Sequence, residues 1–488
     1  MNQKKEQLKG IVGEGNVYGD PKVLMAHARD QSLALTMRPS FVVKPQSAQV
    51  IQELVKWANK TETALVPVSS GPPHIHGGTI PTAAGAVVVD LCKMDKIIRI
   101  DRRNRIAIIE PGVTYNQLQP ELARAGLRLS TPLLPRANKS VVAGLLEREP
   151  TLVPKYQWAM LDPLRCVEVV WGDGELFTTG EVPRPGSLEA EWKAGMGQAV
   201  ATGPAQADYY KLVSAAQGSM GIVTWASVKC EVLPAVHELF FVPAQELNDL
   251  IDLTYKLLRF RFGDEIVLLN RASLAAAIAD SAEQLKSFNQ KLPPWILLVG
   301  VAGRHVLPQE RVAFQQKDIS DMADQCGLQL ESTLAGINSQ DLLKVLLNPS
   351  KNGDWKSAYQ GGHREIFFLS TLDKTPGFIQ TLSLLAQSSG YPTSNIGVYL
   401  QPVHQGASCH CEFSLPFERD KPDEAQRMRA LFTQASEKLL QQGAYFSRPY
   451  GAWANMAFNR DAQTTAVLKK VKKIFDPNNV MNPGKLCF

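Results

Sequence analysis

Residues 47–127 alternate between helical and extended apolar patterns, and the order of these patterns restricts the fold more than any other feature of the chain. A helix is predicted over 47–59, where Ser47 is a typical N-cap and apolar residues recur at helical spacing. A short buried strand, a loop and three further strands follow, and a second helix is expected between Thr114 and Gly126. This order of elements predicts an α+β unit.

The loop of this unit, VPVSSGPPHIHGGTIPT over 66–82, has a composition typical of anion binding. Small residues and glycines let backbone N–H groups converge on a phosphate without help from a cationic side chain. Pro72 and Pro73 have no N–H to donate, so fewer donors can point inwards than in a glycine-rich loop. From the residues alone, the loop could be a nucleotide site, a metal site around His74 and His76, or a proline-stiffened connection.

The character of the chain changes near residue 235. Before it, a hairpin is predicted over 162–182 around a Gly-Asp-Gly turn, and a short helix and a long strand are predicted over 208–234. After it, helices alternate with apolar strands, and the last helix is stopped by Asp476-Pro477. A chain of 488 residues is too long for one simple core, so we expect two or three domains with a boundary near 235.

Charge and composition exclude several classes of function. The net charge of +5 is slight for this length, so nucleic-acid binding gets no support. The charged N-terminus has no apolar core typical of a secretory signal, and no run of about 18 apolar residues predicts a membrane span. The 7 cysteines are odd in number and scattered, which favours a reducing compartment. We therefore expect a cytoplasmic protein.

Four stretches and the C-terminus, taken in order, resemble the vanillyl-alcohol oxidase and p-cresol methylhydroxylase family of flavoproteins, which includes FAD-dependent D-lactate and glycolate dehydrogenases. The stretches are 38–59, the loop 66–81, the strand–PGV–helix element 108–127 and the GSMGIVT segment within 215–234, with IFDPNNVMNPGKLCF at the end. The resemblance implies an α+β fold: a two-subdomain FAD-binding domain over 10–235, an α+β cap domain for the substrate over 236–440, and a segment, 441–488, that returns to the FAD-binding domain.

The resemblance also implies which residues contact FAD. They come from the pyrophosphate loop, the PGV turn, the segment after residue 139, the GIV strand and the C-terminus: Ser69, Ser70, Gly71, Pro72, Pro73, His74, Ile75, His76, Gly77, Pro111, Gly112, Ser140, Ala143, Gly144, Gly221, Ile222, Val223, Asn482 and Lys485. Some relatives attach the flavin covalently through a loop histidine. Because that position is Pro73 here, non-covalent FAD is expected.

The densest polar cluster, GVYLQPVHQGASCHCEFSLPF over 397–417, alternates like two strands of a hairpin. One face of such a hairpin presents Tyr399, Gln401, His410 and Glu412. Dehydrogenases of the family bind a divalent metal here through two histidines and a carboxylate. A zinc site from His404, His410, Glu412 and a cysteine is chemically possible, but the spacing departs from the family pattern, so no metal is expected. His410 is the preferred general base, with His404 as a second candidate.

A second cluster, within 441–460, resembles the family segment in which a tyrosine and an arginine grip a phenolate or carboxylate. Tyr445 matches the tyrosine position, but the next residue is Phe446, so Arg448 is the first choice for binding a substrate anion. Tyr450 lies beside it in sequence. The catalytic candidates are therefore His410, Arg448, Tyr445, Tyr399, Glu412 and His404.

The resemblance implies an FAD-dependent oxidoreductase that passes a hydride from a small alcohol or 2-hydroxy acid to flavin N5 and then electrons to a protein acceptor. The acceptor by analogy is an iron–sulfur protein, a cytochrome or an electron-transfer flavoprotein, in a homo- or hetero-oligomer. Oxidation of a 4-alkylphenol is the alternative, because the segment 136–164 is nearer the phenol-oxidising branch. A non-catalytic subunit of a flavoenzyme complex is the third hypothesis.

Overall fold

The computed structural model describes residues 2–181, 187–205, 208–350, 353–357 and 361–488 as a mixed arrangement of helices and strands. The helices are α1 (Asn2–Val12), α2 (Pro21–Ala26), α3 (Ala48–Thr61), α4 (Tyr115–Arg124), α5 (Val141–Leu146), α6 (Leu188–Lys193), α7 (Tyr210–Val213), α8 (Leu247–Phe260), α9 (Arg271–Ile278), α10 (Ala282–Lys291), α11 (Pro308–Asp324), α12 (Ser339–Leu346), α13 (Thr375–Ser388), α14 (Pro422–Gln441), α15 (Ala452–Phe458) and α16 (Ala462–Phe475).

The strands are short in the first half of the chain and longer in the second. They are β1 (Val17–Tyr18), β2 (Phe41–Val43), β3 (Leu65–Val68), β4 (Val87–Asp90), β5 (Ile97–Asp101), β6 (Ile106–Ile109), β7 (Leu127–Arg128), β8 (Leu164–Trp171), β9 (Leu176–Thr178), β10 (Gly221–Lys229), β11 (Glu231–Val232), β12 (Val236–Ala244), β13 (Ile266–Asn270), β14 (Trp295–Gly303), β15 (Thr333–Leu334), β16 (Ile337–Asn338), β17 (Gly362–Ser370), β18 (Gly397–Val403) and β19 (Ser408–Phe417).

The first half of the chain builds two larger sheets, and β7 and β11 form a separate two-stranded sheet. One has the order β1–β2–β4–β3, with β4 parallel to both β2 and β3. The other is antiparallel, in the order β5–β6–β10–β8–β9. The predicted helices form where their caps indicated: the N–H of Val50 donates to Ser47 Oγ at 3.3 Å, and Thr114 and Gln117 form a capping box before α4.

The second half builds a large antiparallel sheet in the order β12–β14–β13–β18–β19–β17, which we call the large sheet. The predicted hairpin over 397–417 is its β18–β19 pair. In this register Tyr399 lies opposite Glu412 and Gln401 lies opposite His410, so the four side chains share one face, as the alternation indicated. The predicted α+β fold class is confirmed.

The C-terminal segment packs back onto the first sheet. The N–H of Leu65 donates to the carbonyl of Val480, and the N–H of Asn482 donates to the carbonyl of Leu65, both at 2.8 Å. Val480 and Met481 are buried in the same apolar core as β3 and β4. This places the end of the chain under the loop that follows β3. Among the helices of the described residues, none is both long and apolar enough to cross a membrane.

Candidate active-site cleft

A cleft lies between the first half of the chain and the large sheet, with a volume of about 1720 Å³ including its open mouth. One wall is the loop after β3 with the chain before β10 and the start of α5. The other wall carries Glu365 and Phe367 of β17, Tyr399 of β18 and Glu412 of β19. Apolar side chains such as Val142, Leu146 and Ile222 line the first wall.

The loop wall presents backbone donors rather than cations. The N–H groups of Ser70, His74, Ile75, His76, Gly78 and Thr79 donate to no group among the described residues, and all six residues line the cleft. The other two glycine N–H groups are already used: Gly71 donates to the carbonyl of Asn138 at 2.9 Å, and Gly77 donates to Asp30 Oδ2 at 2.5 Å. Converging free N–H groups of this kind form a concave anion site.

The two prolines and the loop glycines shape this wall from behind. The Pro72–Pro73 peptide is cis, and neither proline lines the cleft. Asn138 Nδ2 donates to the carbonyl of Pro72 at 2.7 Å, and Arg136 Nη1 donates to the carbonyl of Gly71 at 2.9 Å. The segment 136–140 therefore fixes the turn of the loop.

The remaining residues expected from the resemblance divide into cleft-lining and supporting positions. Ser69, Pro111, Ala143, Gly221, Ile222 and Val223 line the cleft. Ser140 lies behind them, with its Oγ donating to the carbonyl of Pro111 at 2.6 Å and its N–H donating to Ser70 Oγ at 3.1 Å.

Two expected glycines serve close packing instead of facing the cleft. A Cβ at Gly112 would lie 2.6 Å from the carbonyl oxygen of Leu91, and one at Gly144 would lie 2.6 Å from the Tyr115 hydroxyl. Neither glycine is among the cleft-lining residues.

Asn482 and Lys485 hold the loop from the C-terminal side. Asn482 Nδ2 donates to the carbonyls of Gly78 at 2.9 Å and Gln217 at 2.6 Å. Lys485 Nζ donates to the carbonyls of Gly77 and Ile80, each at 2.8 Å. The side-chain donors of Asn482 and Lys485 are hydrogen-bonded to these carbonyls. The two residues therefore support the loop and do not lie on the cleft surface.

The sheet wall carries a buried ion cluster, which we call the cleft cluster: Lys356, His363, Glu365, His410 and Glu412. Lys356 Nζ lies 2.7 Å from Glu365 Oε1 and also contacts Glu412 Oε1. His363 Nε2 lies 3.1 Å from Glu365 Oε1, and His410 Nε2 lies 3.1 Å from Glu412 Oε2. Each carboxylate is therefore shared by two or more donors, which is how buried charge is tolerated.

The electrostatics of the cleft cluster fix its protonation. Burial alone would raise the pKa of Glu365, but Lys356 and the neighbouring histidines hold it well below its ordinary range. Burial likewise opposes ionisation of Glu412, and Lys356 lowers its pKa overall. Burial lowers the pKa of His410, whereas Asp354 and Glu365 overcome burial and raise the pKa of His363. Near neutral pH the two glutamates are therefore ionised and His410 is neutral.

Arg448 differs from the members of the cleft cluster because its buried charge has no ion-pair partner among the described residues. Its side chain lines the cleft, the residue is 5% exposed, and its Cζ lies 4.1 Å from the centre of the Phe367 ring. It forms neither an ion pair nor a hydrogen bond with any other described residue. A buried guanidinium with free donors in a cleft is suited to binding an anion that enters it.

His76 reaches across the cleft to the large sheet, which sequence reasoning missed. Its Nε2 lies 2.9 Å from Glu365 Oε2, its ring stacks on Tyr450 with centres 4.8 Å apart, and it meets Phe367 edge-on at 5.2 Å. His76 and Glu365 are 289 residues apart, so no local pattern could indicate the contact.

The structure brings Tyr399, Glu412 and Arg448 together at the cleft and keeps the other catalytic candidates away from it. His410 is buried behind Glu412. His404 lies at the end of β18, where its N–H donates to Gln157 Oε1 at 3.2 Å and its Nδ1 lies 3.4 Å from Ser408 Oγ. Tyr445 is 64% exposed and pairs through its backbone with Leu369. His404 and Tyr445 do not line the cleft.

His404 therefore does not join His410 and Glu412 in a ligand set. The metal-compatible group among the described residues is Asp354, His363 and Glu365, whose ligand atoms lie within 4.8 Å of one another. The Lys356 ammonium already contacts that glutamate, so the positive charge which a divalent ion would bring is supplied by the chain.

Two family models match this chain. A model described as FAD binding domain matches residues 39–180, and a model described as FAD linked oxidases, C-terminal domain, matches residues 396–486. The first covers the loop after β3 and the start of α5. The second covers the β18–β19 hairpin, Arg448 and the C-terminal supports of the loop.

Similar proteins extend over almost the whole chain. D-2-hydroxyglutarate dehydrogenase of Stutzerimonas stutzeri is 23% identical over 99% of this chain and 98% of its own length. The 4-cresol dehydrogenase [hydroxylating] flavoprotein subunit of Pseudomonas putida is 22% identical over 99% of this chain and 95% of its own. A crystal structure of p-cresol methylhydroxylase with substrate bound superposes with a TM-score of 0.83 at 19% identity, covering 100% of this chain and 96% of that one.

These matches confirm the resemblance seen in the sequence. The chain carries the FAD-binding and C-terminal domains of the FAD-linked oxidases, and it has the fold of p-cresol methylhydroxylase. The expectation of an FAD-linked oxidoreductase is confirmed at the level of this family.

Proposed function

We propose that this chain, with its two FAD-linked oxidase domains, is a dehydrogenase that oxidises a 2-hydroxy acid or a similar small alcohol bearing an anionic group. The observation that carries the proposal is Arg448: a buried guanidinium in the cleft with no anionic partner among the described residues. Burying a cation without a partner is unfavourable, so such a group is retained where a ligand supplies the anion. A substrate carboxylate fits this requirement.

The residues of the loop wall fit FAD. Six free backbone N–H groups around Ser70 and His74–Thr79 would hold its pyrophosphate, and the apolar patch of Val142, Leu146 and Ile222 would pack against its ring system. Bound there, FAD would supply the two-electron acceptor for the substrate C–H bond. We propose that it is held without a covalent bond, because the loop position from which some relatives attach flavin is Pro73, which has no nucleophilic atom.

The chain's own groups would orient the substrate and set the charge around it. Arg448 would bind the carboxylate in a bidentate manner, and the Tyr450 hydroxyl, protonated because burial raises its pKa well above the ordinary value, would act as a hydrogen-bond donor. Trp355 and Leu134 would exclude water from the reacting carbon. His410 would act as a positioning residue, since its Nε2–H donates to the ionised Glu412.

The test is reduction of the protein-bound flavin under anaerobic conditions. Lactate, glycolate and 2-hydroxyglutarate should bleach the flavin absorbance, whereas 4-cresol and vanillyl alcohol should not. Bleaching by the phenols alone would replace the proposal with oxidation of 4-alkylphenols. That second candidate is favoured by the aromatic surroundings of Arg448, because Phe367, Tyr399 and Tyr450 would also pack around a phenolate ring.

The visible spectrum tests the cofactor and its attachment together. The purified protein, reconstituted with FAD, should be yellow, and acid precipitation should leave a colourless pellet and a yellow supernatant. A yellow pellet would contradict non-covalent binding. A protein that stays colourless after reconstitution would instead support the non-catalytic subunit.

We propose a redox partner protein as the electron acceptor, of the iron–sulfur, cytochrome or electron-transfer flavoprotein type. The support is the relative described as a flavoprotein subunit of 4-cresol dehydrogenase, since a subunit works within an assembly. Slow oxidation of the reduced flavin by oxygen, together with fast oxidation by a one-electron acceptor dye, would fit this proposal, and rapid turnover with oxygen alone would contradict it.

A further inference from the structure

We infer that His76 and Glu365 form the acid–base pair of the cleft, with His76 Nδ1 accepting the proton of the substrate hydroxyl. The inference rests on the proposed function for its substrate and on the geometry for its residues. It concerns a histidine of the loop and a glutamate of the large sheet that meet across the cleft at 2.9 Å.

The charge of Glu365 determines which nitrogen of His76 carries the proton. An ionised carboxylate can only accept hydrogen bonds, and Glu365 is ionised because Lys356 and His363 surround it. His76 Nε2 must therefore be the donor towards Glu365 Oε2. The neutral imidazole then has its lone pair on Nδ1. This nitrogen has no hydrogen-bond partner among the described residues and is not enclosed by them.

The position of His76 suits a base next to the substrate. It lines the cleft, its ring stacks on Tyr450, and it contacts the same Phe367 ring that lies against Arg448. The base and the proposed anion anchor therefore flank one aromatic side chain. A 2-hydroxy acid held by Arg448 through its carboxylate has its hydroxyl on the adjacent carbon, close to its anchored end.

The step balances as follows. The substrate O–H bond breaks and its proton passes to His76 Nδ1, while the oxygen's electron pair forms the C=O bond. The hydrogen on the same carbon leaves with two electrons to the oxidised flavin, which the proposed function supplies. Glu365 stabilises the imidazolium, and the extra proton is released to water through the open mouth. The other candidate bases of the cleft are less suited: Glu412 is shared by Lys356 and His410, and Glu147 and Glu149 share Lys139. His74 also lines the cleft, but burial and the nearby Arg136 lower its pKa to about 4, which makes it a weak base.

The experiment compares His76→Gln, Glu365→Gln and the matched control His404→Gln, a histidine outside the cleft. Rapid-mixing flavin reduction is followed from pH 5.5 to 9 with the best hydroxy acid. His76→Gln should slow reduction about 100-fold or more and abolish its fall on the acid side, as loss of a general base does. Glu365→Gln should slow reduction less and move the acid limb to lower pH, because a neutral amide no longer stabilises the His76 imidazolium or fixes its tautomer. His404→Gln should match the wild type in rate and profile.

Two measurements separate this inference from the proposed function and from loss of structure. The FAD dissociation constant and reduction by dithionite should change less than threefold in all three variants. Nitrogen-15 spectra of the FAD-free protein should show His76 as the Nε2–H tautomer, and Glu365→Gln should remove that preference.

If no hydroxy acid or alcohol reduces the wild-type flavin, the proposed function fails, and the spectra alone then decide whether the His76–Glu365 pair exists as described. The inference would be overturned if His76→Gln kept the acid limb of the pH profile and reduced the flavin at a rate within fivefold of the wild type. An Nδ1–H tautomer in the wild type would also overturn it.

Discussion

Two buried ion clusters are attached to the large sheet, and they differ in whether unpaired polar groups lie beside them. The first, which we call the joining cluster, consists of Asp264 and Glu265 with Arg128, Lys155 and Arg304. Asp264 Oδ1 lies 2.7 Å from Arg304 Nη2, and its Oδ2 lies 3.0 Å from Lys155 Nζ. Glu265 Oε1 lies 2.8 Å from Arg128 Nη1. Because Arg128 and Lys155 belong to the first half of the chain, this cluster ties the two halves together.

The cleft cluster has the same chemistry but opens onto a cavity. Its carboxylates, Glu365 and Glu412, line the cleft and share Lys356, and Arg448 stands beside them without a partner. The comparison teaches that burial and strong pairing do not by themselves mark a functional site. The cleft cluster differs because two groups beside it, the Arg448 guanidinium and His76 Nδ1, have unused hydrogen-bonding capacity in a space that a substrate can enter.

The largest effect is expected from breaking the joining cluster. Asp264→Asn keeps the shape of the side chain but leaves three cations around a neutral amide, so the free energy of unfolding should fall by about 3–5 kcal/mol. Urea denaturation measures this, with the exposed Asp318→Asn as control. The FAD dissociation constant and flavin reduction of the folded fraction should stay within twofold. A variant as stable as the wild type would show that the joining cluster does not hold the halves together.

Arg448→Met removes a buried cation that has no carboxylate partner. Its loss therefore leaves no buried anion unpaired, in contrast to a change within the joining cluster. The methionine can still pack on Phe367, so the denaturation midpoint should not fall. Reduction of the flavin by a hydroxy acid, expressed as rate constant over substrate dissociation constant, should decrease about 100–1,000-fold, equivalent to losing about 3–4 kcal/mol of charged hydrogen bonding.

The exposed Arg460→Met is the control for Arg448→Met and should leave both the midpoint and flavin reduction unchanged. A lowered midpoint together with unchanged reduction would assign Arg448 to structure and remove the contrast between the two clusters.

The pH dependence of stability tests one member of the cleft cluster, His363, and its expected effect is smaller. The pKa of His363 is raised because Asp354 and Glu365 outweigh burial. A raised histidine pKa stabilises the fold at pH values below about 6.5, and this contribution is lost as pH rises through the folded value. The unfolding free energy of the wild type should therefore decline above pH 6.5 relative to that of His363→Gln. Urea titrations at pH 6, 7 and 8 measure the difference, and parallel curves for the two proteins would contradict it.

Local sequence patterns predicted much of the fold but little of the chemistry of the cleft. Ser47 and Thr114 cap helices as expected, and the alternation of Tyr399, Gln401, His410 and Glu412 gave one face of the β18–β19 pair. These features depend on residues near one another in sequence. The contact of His76 with Glu365, and the place of Lys356 between two glutamates, depend on packing of the two halves, which no local spacing records.

The smallest effect is expected at Tyr445, which the resemblance places in the substrate site. Its backbone pairs with Leu369, and this pairing leaves the side chain 64% exposed, whereas Arg448, three residues further on, is buried in the cleft. The place of Tyr445 in the sequence did not predict whether its side chain reaches the cleft, because the chain bends between Tyr445 and Arg448. Tyr445→Phe should therefore change flavin reduction by less than twofold, while Tyr450→Phe, which removes a cleft hydroxyl, should slow it about 10-fold, the loss of one hydrogen bond of roughly 1.5 kcal/mol to a charged group. The reverse ranking would mean that the segment 445–450 moves to bring Tyr445 to the substrate.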